Sequence, residues 1–511
     1  MAVQTKAQRF FNLTAAEVKT DSVVPHFCHT EPLPDNYRDS VYTVSIVYPE
    51  FIDMPATDVS NYRRHHSALP PAMPELETNI VFSRRKPFIS TSLCPVVYRS
   101  GKYQLLVSFL LKREASVKGG AKSSAPKRKA DVAPAERYAA HSVLATGKWV
   151  KIRVSASGFH QITESLIRKA GFSDINKVKL YGYGGNLKNE ILNADDLINT
   201  DDLKEVPTYK SGNRRVFYAR GPVSWASNTS TVRTRNPYSD YGYYFLTESA
   251  DAPSTVDAAA MAADTYPTPD DFHSHYEVDA YSWYNGGRNL FDSHSVEPGS
   301  SRTVNIAAPN TDGDQKLVVC VSAGRSCVVQ VAVNDSIVGT VRTSLGDSKY
   351  IFGCRKSATF TVRNIKADNA VKLTVLEGAA MRLDYITLVS PEPRPMPDLD
   401  SESLPVPEYV YGITNQDRHA DPQADLVIII PTSQKLLKQA QRLKTFHEER
   451  DGLRVNIVPA DELYNEFSSG TPDASAYRHY MKMLYDRAAD EKDMPKYLLL
   501  FGDCVWDNRM L

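Results

Sequence analysis

The segment DLVIIIP (425–431) decides the fold of the C-terminal part of the chain. Its continuous apolar run is typical of a parallel strand that is buried on both faces. LRVNIVP (453–459) is a second predicted strand, and KYLLLFGD (496–503) is a third one that is predicted to be buried. Between the three runs, the apolar residues follow the period of an amphipathic helix. The alternation of strands and helices predicts a right-handed parallel sheet covered by helices.

Two helices are predicted between these strands. The first, SQKLLKQAQRLKTFHEERDG (433–452), ends at Gly452. The second begins after Thr471-Pro472-Asp473, with a cap and then proline at the first helical position. His447 and His479 lie on these helices, away from the strand ends, and are predicted to face solvent. The predicted apolar stripes consist of Leu436, Leu437, Ala440, Leu443 and Phe446 on the first helix, and of Tyr477, Tyr480, Met481, Leu484 and Ala488 on the second.

The candidate catalytic residue is Asp503, which follows the third strand and Gly502. Sites in open parallel sheets form beyond the carboxyl ends of the strands. A carboxylate there can orient a histidine by accepting its Nδ1–H, which is the supporting role in a Cys-His dyad or triad. A loop cap is the simpler interpretation, and both stay open. The neighbouring Cys504 is disfavoured as the nucleophile, because an adjacent anion opposes formation of a thiolate.

Residues 251–395 have the clearest all-β pattern in the chain. Short strand-like runs recur about every 8–12 residues, with Gly, Asn, Asp and Ser between them. This spacing predicts a β-sandwich or jelly roll. The aromatic side chains of Tyr281-Ser282-Trp283-Tyr284-Asn285 can stack on a sugar ring or fill the core, and core filling is favoured.

Composition divides the rest of the chain into further regions. Residues 1–111 contain strand-like runs separated by proline-rich turns, so this N-terminal region is predicted to be β-rich. Residues 112–137 are basic and poor in large apolar side chains, which predicts a flexible loop or linker. Residues 138–250 form a second predicted β-rich domain, and residues 396–424 a proline-rich acidic linker. The start of the α/β domain occupies residues 425–511.

Two patterns stand out in the region 138–250. In GKWVKIRV (147–154), Val150, Ile152 and Val154 alternate with Trp149, Lys151 and Arg153, as expected for a strand with one buried face. VKLYGYGGN (178–186) leads a strand into a glycine-rich turn. The turn resembles a phosphate-binding loop only faintly, because no amphipathic helix follows directly. A tight turn is therefore favoured for Gly182, Gly184 and Gly185.

The overall charge of the chain is balanced. The 511 residues contain 60 basic and 60 acidic side chains, so the total charge does not direct the chain to nucleic acid or an anionic membrane. No apolar run approaches the ~18–20 residues that span a bilayer. The start MAVQTKAQRFF lacks the apolar core of a secretory signal. Either the protein is cytosolic or its true start lies upstream.

The six cysteines are too scattered to predict a disulfide framework. None belongs to a CxxC motif, so no metal site is predicted, and no residues are assigned to a cofactor. Cys320, Cys327 and Cys354 fall in one predicted β domain. One bridge among them and free thiols both stay open, with free thiols favoured.

The stretch KTFHEERDGLRVNIVPADELYNEFSSGTPDASAYRHYMKMLYDRA (444–488), followed by KYLLLFGDCVWDNRM (496–510), resembles the opening of a gingipain-type (C25) cysteine peptidase domain. GKWVKIRVSASGFHQIT, VKLYGYGGN and NPYSDYGYYFLT resemble the N-terminal region of the sortase branch of this family, which belongs to the type IX secretion system. The resemblance spans about residues 138–511, and the order of the motifs is more specific than any one motif.

The resemblance implies a caspase-like α/β domain of which this chain contains the first half. The family has a Cys nucleophile and a His base beyond the third strand, and neither finds a counterpart before Leu511. Asp503 matches the acidic residue of the family's GD motif. The chain is therefore expected to be an N-terminal fragment that is inactive alone. The resemblance implies no cofactor.

The implied activity is removal of C-terminal sorting domains from secreted cargo, after which the new end is joined to anionic lipopolysaccharide. The implied partners are the cargo proteins, other type IX secretion components and this lipopolysaccharide, at the bacterial cell surface or outer membrane. Two other interpretations stay open. One is a non-catalytic adhesin or carbohydrate-binding protein, since β domains make up most of the length, and the other is a pseudoenzyme that has lost its peptidase part.

Overall fold

The computed structural model describes residues 10–13, 26–34, 36–66, 68–84, 86–117, 134–185, 194–284, 289–344, 352–503 and 509. The chain forms two compact units, Met1–Asp131 and Val132–Leu511. Both are rich in antiparallel sheet, and a parallel sheet follows at the C-terminal end. The predicted multidomain β-rich fold with an α/β segment at the end is thus confirmed.

The first unit contains two antiparallel sheets. In one sheet, β7 pairs with β1, β3 and β6, and in the other the strand order is β2-β5-β4. Residues Ser40–Ser45 pair with the end of β7, so residues 112–117 continue this strand although their composition predicted a linker. Residues 118–133 of that predicted linker lie outside the described residues. The elements are β1 (Phe10–Asn12), β2 (Phe27–Pro32), β3 (Ser40–Asp53), α1 (Ala56–His65), β4 (Glu77–Ser83), β5 (Lys86–Leu93), β6 (Val96–Arg99) and β7 (Lys102–Val117), with a 3-10 turn at Tyr37–Asp39.

The second unit opens with three small antiparallel sheets, whose strand orders are β10-β15-β8-β25, β11-β12-β9 and β13-β14. Their elements are β8 (Trp149–Val154), β9 (Gly158–Thr163), α2 (Glu164–Lys169), β10 (Val178–Tyr181), α3 (Ala194–Asn199), β11 (Tyr209–Ser211), β12 (Arg214–Ala219), β13 (Val223–Trp225), β14 (Arg233–Arg235), β15 (Gly242–Glu248), α4 (Ala258–Thr265) and β25 (Glu408–Ile413), with 3-10 turns at Pro134–Arg137, Val143–Ala145 and Pro269–Phe272.

Strand β25 comes from the predicted linker 396–424, and it pairs with β8 on the side opposite β15. This segment is therefore part of the sheet as well as a connection. Trp149 and Lys151, which the alternating pattern placed on an exposed face, are both buried, at 5% and 6% exposure. The prediction of one buried face was wrong because a segment more than 300 residues away along the chain, at Gly470, covers the other face.

The glycine-rich turn is a site of close backbone approach, as the favoured interpretation predicted. Gly184 has φ of +80°, and a Cβ atom there would lie 2.5 Å from the carbonyl oxygen of Arg220. The amide of Gly185 donates to the same oxygen at 3.0 Å. The turn also contacts the C-terminal segment, because the amide of Tyr183 donates to Ser469 Oγ at 3.0 Å.

Residues 273–389, within the predicted region 251–395, form the predicted β-sandwich. Helix α4 precedes it, and its Met261 belongs to the apolar cluster of Phe159 and Val216. One sheet has the order β16-β24-β19-β22, with β17 also on β24, and the other has the order β18-β23-β20-β21. Apolar side chains of both sheets form one core. The strands are β16 (His273–Glu277), β17 (Ser295–Val296), β18 (Ser301–Ala307), β19 (Gln315–Ala323), β20 (Cys327–Val333), β21 (Ser336–Thr343), β22 (Cys354–Val362), β23 (Asp368–Gly378) and β24 (Met381–Val389).

The aromatic cluster after β16 fills space within the fold. A Cβ atom on Gly353 would lie 2.5 Å from the Trp283 ring, so the ring packs directly on this glycine. Trp283 Nε1 donates to Ser322 Oγ at 3.0 Å. The guanidinium of Arg382 stacks on Tyr281, 3.6 Å from the centre of its ring. These contacts match the core-filling interpretation of Trp283 and Tyr281.

The C-terminal segment contains the predicted parallel sheet, with the order β27-β26-β28. Its central strand is buried along its whole length, as the continuous apolar run predicted. The outer strand β28 was predicted to be buried, but Tyr497, Leu498 and Leu500 are 57%, 44% and 58% exposed, because β26 is its one partner in the described sheet. The elements are β26 (Leu426–Ile430), α5 (Leu437–Asp451), β27 (Val455–Pro459), α6 (Ala460–Phe467), α7 (Ser475–Arg487) and β28 (Tyr497–Leu500).

The helices differ from the prediction in three respects. Helix α6 was not predicted, and its apolar face joins the core beneath α7. Helix α7 begins at Ser475, so Pro472 precedes the helix instead of occupying its first turn. Phe446 is 46% exposed, although the stripe on α5 placed it in the core. Within the described residues, no helix is long and apolar enough to cross a bilayer.

Candidate active-site edge

The carboxyl ends of the three parallel strands meet at one edge, formed by Pro431, Pro459 and Asp503 and called the carboxyl edge below. The amide of Phe501 donates to the carbonyl oxygen of Ile429 at 2.8 Å, which carries the parallel pairing to the end of β28. A Cβ atom on Gly502 would lie 3.3 Å from Pro431 Cγ. Asp503 follows and is exposed, so it lies at the position predicted from the sequence.

The described thiols lie in other parts of the chain. Cys28 and Cys94 belong to the first unit, and Cys320, Cys327 and Cys354 to the β-sandwich. All five are free thiols, as the sequence analysis favoured for the three of the β-sandwich. Cys504 lies outside the described residues. None of these five thiols belongs to the carboxyl edge, where Asp503 lies.

The two histidines considered in the sequence analysis have different environments. His447 lies on α5, where its Nδ1 is 2.7 Å from Asp451 Oδ2. His479 is fully buried in α7, and its ring centre lies 5.4 Å from that of Phe467. The prediction that His479 faces solvent was wrong, because Phe467 belongs to the unpredicted helix α6, which covers this face of α7.

A third histidine, His419, was missed by the sequence analysis and lies at the centre of a buried ionic cluster. Its Nδ1 is 2.6 Å from Glu466 Oε2, and its Nε2 is 3.2 Å from Asp201 Oδ1. His419 and Glu466 are fully buried, and Asp201 is 5% exposed. The imidazole also stacks on Phe467 at 4.5 Å between ring centres. The cluster joins Asp201, in the N-terminal β-rich part of this unit, to helix α6, which contains Glu466.

The charge of His419 follows from these contacts. Burial lowers its pKa, but the hydrogen bonds and negative charges of Asp201 and Glu466 outweigh burial and raise the pKa to about 10. The nearby carboxyl of Asp202 is itself buried, and burial raises its pKa to about 6. His419 is thus an imidazolium at neutral pH that bridges two carboxylates. Such a cation orients chain segments and is unsuited to act as a general base.

Lys151 is a second buried charge at the same junction. Its Nζ donates to the carbonyl oxygen of Gly470 at 2.5 Å and lies 4.3 Å from the centre of the Tyr243 ring. Burial lowers the pKa of Lys151 to about 7, against an opposing effect of the Asp461 carboxylate. Lys151 therefore loses its proton near neutral pH in the folded chain.

We expect the stability of the wild-type chain, relative to a Lys151→Met variant, to rise with pH above about 7. The unfolded lysine keeps its proton up to about pH 10.4, so the unfolded state binds more protons than the folded state in this range. The difference in the free energy of unfolding should then grow by about 1.4 kcal/mol per pH unit. Urea-induced unfolding of both proteins between pH 7 and 9 measures this difference. Parallel pH profiles of the two proteins would contradict the lowered pKa of Lys151.

A larger ionic cluster lies between the hairpin β13-β14 and the β-sandwich. Three carboxylates, Glu277, Asp279 and Asp384, offer oxygen atoms that all lie within 4.8 Å of one another. This spacing suits a metal ion, but arginines fill the site. Arg233 Nε donates to Glu277 at 2.9 Å, Arg235 Nε lies 2.9 Å from Asp279, and Arg355 pairs with Asp384.

The cluster mixes raised and lowered pKa values. Burial raises the pKa of Glu277, but bonds from His275 and Arg233 and the charge of Arg235 outweigh it and hold the pKa below its usual value. Burial and the charge of Glu277 raise the pKa of Asp279 despite its arginine partners. The tight spacing of the carboxylates therefore depends on each guanidinium that balances them.

Arg509, which follows the carboxyl edge in sequence, completes this cluster. Its Nη1 lies 2.8 Å from Asp240 Oδ1 and 2.7 Å from Asp279 Oδ2. The Arg509 side chain is only 5% exposed. The sequence analysis gave no role to this residue, because its partners lie more than 200 residues earlier in the chain.

Comparison with known proteins identifies the C-terminal segment. Residues 419–510 match the model of Peptidase family C25. The chain is similar in structure to dimeric latent PorU from Porphyromonas gingivalis, with 27% identity and a TM-score of 0.57. This match covers 73% of the chain and 43% of PorU, so the chain spans less than half of that structure. The two findings confirm the family resemblance drawn from the sequence.

Other solved structures align over a smaller part of the chain. A family 35 carbohydrate-binding module from Clostridium thermocellum shares 18% identity at a TM-score of 0.17, over 23% of this chain and 88% of the module. CsCBM6-3 from Clostridium stercorarium shares 17% identity at a TM-score of 0.17, over 23% of this chain and 93% of that chain. Matches this limited carry no argument about function. No curated protein matches the chain.

Proposed function

We propose that this chain is the front part of a cysteine peptidase and transpeptidase of the type IX secretion system. In this proposal the complete enzyme removes C-terminal sorting domains from secreted cargo and links the new end to anionic lipopolysaccharide at the cell surface or outer membrane. Other type IX secretion components are its further partners. The observation that carries the proposal is the C25 match over residues 419–510, within which Asp503 lies at the carboxyl edge of a parallel sheet.

The chemistry divides between this chain and what would follow it. Thiol proteolysis needs a thiolate, a base beside it and donors for the oxyanion, held in one geometry. We assign Asp503 the supporting role, in which its carboxylate accepts the Nδ1–H of the catalytic histidine and fixes the orientation of the ring. The nucleophile and the base are proposed to come from sequence beyond Leu511. Residues 1–511 alone should then be inactive.

The test compares two proteins. One is the chain 1–511, and the other is the same chain extended by the coding sequence that follows Leu511 in the genome. The extended protein should cleave a cargo protein that carries a sorting domain, and iodoacetamide should block the cleavage. The chain 1–511 should leave the same substrate intact.

Two results would contradict the proposal. Cleavage by 1–511 that is lost both with iodoacetamide and in Cys504→Ala would make Cys504 the nucleophile. An extended protein that binds cargo or sugar but cleaves nothing would favour the adhesin interpretation. A matched control is Cys28→Ala, because Cys28 is an exposed thiol in the first unit.

A further inference from the structure

We propose that Arg509 is a positioning residue that anchors the chain beyond Asp503 in an acidic recess, formed by Asp240, Glu277, Asp279 and Asp384. The anchor itself stands on the contacts of Arg509, and its consequence for catalysis rests on the proposed function. The recess belongs to the β-rich part of the unit, whereas Arg509 belongs to the segment 419–510, which matches Peptidase family C25. The contact therefore joins two regions of the second unit that are far apart in sequence.

The geometry is that of a bridging guanidinium. Arg509 reaches Asp240, which precedes β15, and Asp279, which follows β16, at 2.8 and 2.7 Å. One nitrogen, Nη1, makes both contacts, and its two N–H groups allow it to donate to two carboxylates at once.

Burial separates this contact from an ordinary surface ion pair. Exposed pairs contribute little to stability, typically below about 1 kcal/mol. Here the side chains of Arg509 and Asp279 are only 5% and 4% exposed. A buried carboxylate that loses its partner is costly, so the recess favours the docked arginine.

Arg509 contributes to the charge balance of the recess. Its four carboxylates face the guanidiniums of Arg233, Arg235, Arg355 and Arg509. Without Arg509, four carboxylates would share three guanidiniums, and Asp279 would keep Arg235 as its arginine partner beside the charge of Glu277. Docking of Arg509 therefore balances the negative charges of the recess with an equal number of guanidiniums.

The anchor restricts the carboxyl edge because the connection is short. Six peptide units separate Asp503 from Arg509, and they span at most about 22 Å when fully extended. At the other end, Asp503 follows β28, whose pairing with β26 is its one sheet contact among the described strands. Catalytic groups must be held to within about 0.5 Å, so a further attachment of the segment that contains Asp503 bears on catalysis. Arg509 supplies the second attachment.

The experiment is hydrogen exchange, followed by mass spectrometry, on the full chain with Arg509→Ala. Exchange in residues 496–503 should become about tenfold faster, because the segment loses a buried charged contact. Arg442→Ala, which changes an exposed arginine on α5, should leave these residues unchanged. The readout needs no peptidase activity, so it is independent of whether the proposed function holds.

Millimolar methylguanidinium separates positioning from charge balance. It can occupy the recess of Arg509→Ala and restore the melting temperature, but it is not attached to the chain, so exchange in residues 496–503 should stay fast. Restoration of slow exchange by methylguanidinium would overturn the proposal, as would wild-type exchange in Arg509→Ala.

If that variant does not fold, Asp240→Asn serves in its place, because Asp240 is 36% exposed and Asp279 still holds Arg509. Asp240→Asn should give a smaller increase, and no increase would also overturn the proposal.

Discussion

Replacing Glu466 by glutamine should lower the free energy of unfolding of the second unit by about 3–5 kcal/mol. The Glu466 carboxylate accepts four N–H donors: Gln416 Nε2, the amides of Arg418 and His419, and the ring Nδ1 of His419. An amide of the same shape must turn its NH₂ group towards at least one of these donors. It also leaves the imidazolium of His419 with Asp201 as its remaining carboxylate partner.

Urea-induced unfolding followed by circular dichroism measures this loss. The matched control is Glu448→Gln on α5, where the carboxylate is 40% exposed and pairs with Lys444 at 3.6 Å. That control should change the free energy of unfolding by less than about 0.5 kcal/mol. If Glu466→Gln matched Glu448→Gln, the buried cluster would not hold this part of the fold together.

The same cluster predicts a pH dependence whose sign is set by His419. Its folded pKa of about 10 exceeds the value of about 6.5 for an unfolded histidine. The stabilisation is therefore complete below about pH 6.5 and is lost as the pH rises towards 10. The difference in the free energy of unfolding between wild type and His419→Gln should shrink over that range. Burial raises the pKa of Asp202 to about 6 and the charge of His419 opposes this rise, so the comparison is cleanest at the upper end of the pH range.

Asp503→Asn should slow the complete enzyme by about 10²-fold or more. A carboxylate that accepts the Nδ1–H of a catalytic histidine fixes its tautomer and stabilises the imidazolium that forms during the reaction. An asparagine side chain of the same size can offer its NH₂ group instead and favour the wrong tautomer. Because Asp503 is exposed, the substitution should leave the fold and its stability unchanged.

The sheet was predictable because its signal is local. Continuous apolar runs such as DLVIIIP give a strand buried on both faces, and the structure has β26 there with every residue buried. Helix α6 also carried a local signal, with Asp461 and Glu462 in its first turn, although the sequence analysis did not use it. The position of Asp503 followed from the strand before it.

The buried charges were not predictable, because their partners are remote in sequence. His419 lies 218 residues from Asp201, Lys151 lies 319 residues from Gly470, and Arg509 lies 230 residues from Asp279. Alternation along β8 indicated a polar face at Lys151, and only the tertiary fold shows that another segment covers it. A charged residue in a periodic pattern therefore does not establish an exposed surface.

The most direct test of the central claim is kcat/KM for Asp503→Asn in the protein extended beyond Leu511, with a sorting-domain cargo as the substrate. The control is Asp312→Asn, which changes an exposed carboxylate in a loop of the β-sandwich. The account predicts a loss of about 10²-fold or more for Asp503→Asn, an unchanged melting temperature, and wild-type kinetics for Asp312→Asn. Wild-type kcat/KM in Asp503→Asn would contradict it and would leave Asp503 as a loop cap.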